Sequence, residues 1–314
     1  MTNKDSSDSA QRGAHGKAEF GHVPVLYKQA IDLLAVKRGG TYIDATLGLG
    51  GHSYGIAKLL GRQGRLIGFD KDTRALEMAG QRLASPPEEL KNDWPEVKLI
   101  HASYAEVAEH VEPHSADGLL ADLGVSSMQF DDASRGFSFQ AEGPLDMRMN
   151  PESELTAEQV VNQFDEATLA DLIYEFGEER RSRRIARAIV RARPIRTTAH
   201  LAKVISAAAR PMNSRIHPAT LTFQALRIFV NRELDDLKAL LDTKSAPKVL
   251  KKGGRLAVIS FHSLEDRLVK DAMREGARRG MYEVLTRKPV TADEEEIEQN
   301  WRARSARLRV AELL

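Results

Sequence analysis

Three short stretches of the 314-residue chain carry residue types suited to chemistry. The first is Asp44-Ala-Thr-Leu-Gly48-Leu-Gly50-Gly51-His52-Ser53, which follows an apolar run and opens a helical pattern. Glycine lets a backbone turn sharply and approach a ligand closely. The helix beginning beyond such a turn offers unpaired N–H groups to a polar or acidic ligand. The second is Asp70, which ends another apolar run about twenty residues later. An acidic residue there can accept both hydroxyl hydrogens of a ribose. Together they predict a site for an adenosine-containing cofactor. The third is Ala121-Asp122-Leu-Gly124-Val-Ser126-Ser127-Met128-Gln129. Asp122 can accept a hydrogen bond from an amine, Gly124 allows close approach, and the serines can orient a base edge. The bland alternative is that Asp122 caps a turn and the serines satisfy backbone groups.

Three readings of the glycine turn compete. A dinucleotide site wants G-x-G-x-x-G, and the frame from Gly48 puts Ser53 where the last glycine belongs. S-adenosylmethionine has no pyrophosphate, and its ammonium group needs an acceptor, which Asp44 ahead of the glycines can supply. Gly51-His-Ser53-Tyr-Gly55 also matches the nucleophile elbow of α/β hydrolases. That elbow would fall on the first strand, leaving the upstream glycines unexplained and no spacing to select its triad partners. S-adenosylmethionine is the favoured reading.

These residues need elements to hold them. Val25–Val36 has helical spacing, Thr41–Ala45 reads as a strand, and His52–Leu60 as a helix. Arg65–Phe69 is a second strand, Asp72–Leu83 a helix with Asp72 as N-cap, Val97–Ile100 a third strand and Gly118–Leu123 a fourth. The alternation predicts an α/β fold with a parallel sheet covered on both faces. From Gln129 to about His217 only helical patterns occur: Ala157–Phe164, Ala167–Phe176, Glu178–Ala192 and Ala199–Arg210. A long helix from Ala219 to about Leu241, a buried strand at Arg255–Phe261 and a last strand at Arg307–Glu312 follow. The organisation expected is a polar, disordered tail over residues 1–20, an α/β domain over 21–130 and 218–314, and an all-helical insertion over 131–217.

Within that insertion, Glu178–Arg196 holds eight arginines against two glutamates. On a helical wheel Arg180, Arg183, Arg184, Arg187 and Arg191 share one face, with Ile185, Ala188, Ile189 and Ala192 beside it. Such a helix suits phosphate contact. Its bland reading is a solvated face paired with Glu175, Glu178 and Glu179. Phe130, Phe137 and Phe139 are candidates for stacking on an extruded base, with at least one favoured as core. His262 ends the fifth strand, where a structural hydrogen bond is favoured over proton transfer or RNA contact. The formal net charge of +1 predicts no polyanion partner by itself, so nucleic-acid binding must come from such local clustering. There is no cysteine, which excludes disulfides, thiolate zinc sites and a cysteine nucleophile. No His or carboxylate cluster has the spacing of a required metal site. No apolar run is long enough to span a bilayer, and no signal peptide is evident, so a cytoplasmic location is expected.

Several segments, in order, resemble one family. They are Asp44–Ser53, Asp122–Gln129, Arg135-Gly-Phe-Ser-Phe139, Gly143-Pro-Leu-Asp-Met-Arg-Met149, Gly177-Glu-Glu-Arg180, Arg184–Ile189, His217-Pro-Ala-Thr220 and Ser260-Phe-His-Ser-Leu-Glu-Asp-Arg267. The resemblance, from about Gly21 to the C-terminus, is to the bacterial small-subunit ribosomal RNA cytosine-N4 methyltransferases (MraW/RsmH). It implies a Rossmann-like class I S-adenosylmethionine-dependent methyltransferase with an inserted helical domain. The implied substrate is the N4 amine of a cytidine in the decoding region of 16S rRNA, and the implied partner is the small ribosomal subunit. It also implies cofactor contacts from Gly50, Gly51, His52, Asp70, Tyr104, Asp122 and Gln129; Asp122, by its chemistry as an acceptor for an amine, is also the candidate catalytic residue. The sequence departs from the family at Met128 and Trp301, both of which stand where proline is common.

Overall fold

The computed structural model describes Pro24–Ala209 and His217–Leu314; the tail assigned to residues 1–20 lies outside the described residues. Seven strands form one sheet in the order β3-β2-β1-β4-β5-β7-β6. They are β1 (Thr41–Asp44), β2 (Arg65–Asp70), β3 (Glu96–His101), β4 (Ala116–Asp122), β5 (Leu250–Ser260), β6 (Tyr282–Val284) and β7 (Arg307–Leu313). β1 to β5 pair in parallel, and β7 runs antiparallel to both neighbours.

Alternation along each strand supplies two faces. Ile43, Ile67, Leu119, Ala121 and Val258 fill one apolar core, while Tyr42, Leu66, Leu120, Ala257 and Ile259 fill the other. Among the flanking helices are α1 (Tyr27–Leu34), α2 (Gly51–Leu60) and α3 (Thr73–Leu83). The strand order reverses between β1 and β4. At such a switch point the connecting helices leave in opposite directions and open a crevice at the carboxyl edge. Both the glycine turn and the Asp122 turn leave the sheet there.

The chain between β4 and β5 builds a separate apolar core. It gathers Phe137, Leu145, Met147 and residues from helices Ala157–Gln163, Glu166–Gly177, Ser182–Ala192, Thr198–Ala208 and Thr220–Asn231. The single long helix expected from Ala219 is in fact two, Thr220–Asn231 and Glu233–Leu241, broken at Arg232 with φ +53°. The first half packs into the insertion core and the second lays Leu237 and Leu240 on the sheet. One straight rod cannot face both surfaces. Asn231 fixes the break by donating to the Met147 carbonyl at 2.7 Å and accepting from the Met149 N–H at 2.6 Å.

The arginine helix is also shorter than its sequence pattern. It begins at Ser182, because Glu178 takes φ +50° and the Glu179 side chain accepts the Arg181 N–H at 2.8 Å. Helix Ser263–Arg278 and strand β6 carry no clear sequence signal but complete the far side of the sheet.

Candidate active site

The glycine turn is braced from within. Asp44 is buried, and its Oδ2 accepts the Ser53 hydroxyl at 2.7 Å while Oδ1 accepts the Thr46 N–H at 3.2 Å. Burial raises its pKa. Its two oxygens hold the turn in shape, and each keeps a further lone pair on the side of the glycines. Gly48 and Gly50 take φ of +51° and +70°, a region costly for residues with a Cβ. No side chain caps α2, so its opening N–H groups are left to a ligand.

Asp70 faces this turn from the end of β2. Its Oδ2 accepts the Gly48 N–H at 2.8 Å and its Oδ1 the Asp72 N–H at 2.8 Å. Each oxygen keeps a further lone pair for a hydroxyl. Burial pushes the carboxyl up to about 6, against the pull of those two N–H groups.

Asp122 meets the turn from β4. Its own N–H donates to Thr46 Oγ1 at 2.6 Å, pinning the two turns together. Its Oδ2 lies 3.6 Å from His52 Nε2. Asp122 Oδ1 and both ring nitrogens of His52 are buried without a hydrogen-bond partner. A buried polar atom without a partner is costly, and three of them at one spot mark a place built for a polar ligand.

The other two expected contacts sit differently. Gln129 is buried behind the turn: its Oε1 accepts the Ser126 N–H at 3.1 Å and its Nε2 donates to Asp72 Oδ2 at 2.9 Å. Tyr104 lies beyond β3, with its ring against the sheet core and its hydroxyl donating to the Glu233 carbonyl at 3.4 Å. Beside it a cleft of about 370 Å³ opens between the sheet edge and the insertion, lined by Lys71, Ser103, Asn150, Asn231 and Asp236 among others. Asp72 caps its helix as the sequence predicts, accepting the Arg74 N–H at 3.0 Å, but its bonds to Gln129 and Arg135, and the bond of Thr46 to Asp122, were not foreseen.

The aromatics go inward. Phe137 is buried in the insertion core, and Phe130 and Phe139 pack against it. Phe139 also stacks on His217 at 4.6 Å. His262 caps helix Ser263–Arg278, accepting the Glu265 N–H at 3.4 Å through Nδ1. That Nδ1 bond is the structural hydrogen bond favoured for this histidine, and its Nε2 lies 3.1 Å from Glu265 Oε1. Glu233, His262 and Glu265 could bring one ligand atom each to a cation. Arg227, however, already donates to both Glu233 oxygens at 2.9 and 2.8 Å.

On the insertion surface Arg180, Arg183, Arg184, Arg187 and Arg191 are all exposed. Arg187 pairs with Glu166 at 3.2 Å. Glu178 is turned away to Arg267 and Ser263, and Glu179 to Arg181. Glu178 and Glu179 therefore do not neutralise this face, and of its five arginines only Arg187 has an ion-pair partner among the described residues.

Residues 19–314 match the family model described as the MraW methylase family. The chain belongs to that family. It is 70% identical over 311 residues to the ribosomal RNA small subunit methyltransferase H of Koribacter versatilis, covering 98% of this chain and 99% of that one. The enzyme of the same name from Acidobacterium capsulatum is 67% identical over 292 residues, covering 93% and 98%. That from Solibacter usitatus is 49% identical over 296 residues, covering 93% and 99%.

As an MraW methylase the chain uses S-adenosylmethionine, and the residues present fit it. The uncapped opening of α2 suits its carboxylate, Asp70 its ribose hydroxyls, and the buried His52 nitrogens its other polar groups. Asp70 gives this fit a pH signature. Only the ionised carboxylate accepts through both oxygens, so donor affinity is expected to fall as pH drops through about 6. In calorimetry from pH 5 to 8, Asp70→Asn is expected to bind weakly and without that step. A parent affinity flat across the range would refute the ribose role.

Proposed function

We propose that the chain transfers a methyl group from S-adenosylmethionine to the N4 amine of a cytidine in the decoding region of 16S rRNA, acting on the small ribosomal subunit. The observation that carries this reading is the Asp122 carboxylate, with Oδ1 unpartnered, beside the glycine turn at the sheet's switch point. When bound, the donor would supply an electrophilic methyl on a positively charged sulfur, whose bond to the methyl breaks as the new bond to nitrogen forms and which is left as a neutral thioether. The amine is a poor nucleophile because its lone pair is delocalised into the ring. Asp122 accepts an N–H of that amine, drawing the nitrogen toward a tetrahedral geometry and freeing the lone pair. As the N–C bond forms the nitrogen becomes cationic, and the carboxylate stabilises that charge and can hold the departing proton. Positioning supplies much of the rate.

The target base must leave any stack to reach this edge. Residues 131–217 serve as the RNA-binding unit, with the exposed arginines contacting phosphates as the substrate docks. A substrate on the small ribosomal subunit puts the proposed reaction in the cytoplasm. Among the described residues no helix is long and apolar enough to cross a membrane.

Radiolabelled methyl transfer tests the reading, using unmodified small subunits and naked 16S RNA in parallel. The expected product is N4-methylcytidine, identified by mass spectrometry of the digested RNA. No transfer to either substrate, or 5-methylcytidine as the product, would refute it.

A further inference from the structure

Two sequence motifs, Arg135–Phe139 and Gly143–Met149, have no part in the cofactor contacts expected from the sequence, yet they are locked to each other and to the site. Gly136 takes φ +72°, and a Cβ there would lie 2.1 Å from the Pro144 carbonyl oxygen; one on Gly143 would lie 1.8 Å from that of Ala133. The two backbones pass in direct contact. Across them lies Arg135, whose side chain is 11% exposed. Its Nη1 donates to Asp72 Oδ2 at 2.7 Å, and its Nη2 to the carbonyls of Arg148 and Met149 at 2.8 and 2.9 Å.

Asp72 is the hub. Its side chain is 0% exposed, and its Oδ1 caps α3 by accepting the Arg74 N–H at 3.0 Å. Its Oδ2 is shared by Arg135 and Gln129, and these bonds hold its pKa low against the effect of burial. From this hub one path runs through the Asp72 N–H to the Asp70 carboxylate. A second runs through Gln129 to the Ser126 N–H, in the turn that follows Asp122. A third runs through Arg135 to the segment ending at Met149, which Asn231 grips beside the cleft.

We propose that Arg135 is a positioning residue: through Asp72 and Gln129 it fixes the Asp122 turn, and with it the cleft wall of the insertion, against the Asp70 turn. This rests on the reaction proposed above, since it assigns Asp70 to the donor and Asp122 to the accepting amine. The planar fork reaches the carboxylate from one nitrogen and the two carbonyls from another. A lysine keeps the charge but reaches one point.

The test is Arg135→Lys in the full chain. Donor affinity by calorimetry is expected to stay within about threefold. Turnover on unmodified small subunits at saturating donor is expected to fall about 100-fold, the cost of a displacement of about 1 Å between reacting groups. Amide hydrogen exchange in the protein alone is expected to quicken over Ser126–Asp132 and Met147–Asn150 and to stay unchanged in α2. Turnover within threefold of the parent, or a donor affinity that falls as far as turnover, overturns the proposal. If Arg135→Lys does not fold, the neutral pair Asp72→Asn with Arg135→Gln is put through the same measurements and judged by the same outcomes. A parent protein that methylates nothing indicts the assigned reaction. The exchange result still decides the role of Arg135 there, and unchanged protection in the two segments overturns it.

Discussion

Asp122→Ala is expected to yield a folded protein that still binds S-adenosylmethionine but transfers its methyl about 100- to 1000-fold more slowly, the usual cost of removing one preorganised polar group from a reaction centre. The backbone at this position is held by the bond from the Asp122 N–H to Thr46, which the substitution keeps. The side chain itself is a quarter exposed and makes no hydrogen bond through Oδ1, so folding does not depend on it. What is lost is the acceptor for the amine and the negative charge facing a nitrogen that turns cationic. Single-turnover rates at saturating donor isolate that step, and calorimetry bounds the effect on donor binding to about tenfold. A rate within tenfold of the parent would remove Asp122 from the chemistry and leave it a turn residue. Asp122→Asn separates the two contributions, because the amide still accepts a hydrogen bond but carries no charge. It should fall between the parent and the alanine variant.

Asp122 and Asp70 were legible because each ends a short apolar run bounded by turn residues, and the order of those runs dictates a parallel sheet. A parallel sheet in turn puts every strand's carboxyl end on one edge, so two aspartates 52 positions apart in sequence meet at one crevice. The break at Arg232 was not legible. Helical periodicity runs through it unbroken, and only the presence of two differently oriented cores, one in the insertion and one on the sheet, forces the turn. Helix Ser263–Arg278 was masked by its charge: two of the five residues it buries are Glu265 and Asp266, and only Val269, Met273 and Gly276 make up its buried apolar stripe. Arg135 shows a further limit. Its partner Asp72 lies 63 positions away, and nothing in either neighbourhood signals the pairing. A motif with no assignable chemistry was the available clue, and the structure gives that motif a mechanical role. Gln129 shows the converse: the residue belongs to the site, but it works from behind the turn.

Replacing Arg183, Arg184, Arg187 and Arg191 together by glutamine is expected to weaken docking on small subunits and to flatten its salt dependence, with donor affinity unchanged. These side chains are exposed, and only Arg187 has an ion-pair partner among the described residues, so little stability is lost with them. Phosphate contacts release condensed counterions, and each contributes about 0.7 to 0.9 to the slope of log affinity against log salt. Four contacts therefore account for a slope of about three. Between about 50 and 200 mM salt the parent is expected to lose on the order of 100-fold more affinity than the variant. Turnover at saturating substrate should change little, because the arginines lie on the insertion surface and none of them contacts the Asp122 site. The effect then appears in KM. An unchanged salt slope would show that RNA is gripped elsewhere, and the arginine face would revert to a solvated surface. A fall in turnover with an unchanged KM would mean that the insertion does more than hold RNA. It would then act on the reacting geometry itself, along the path from the cleft wall through Arg135 to the Asp122 turn.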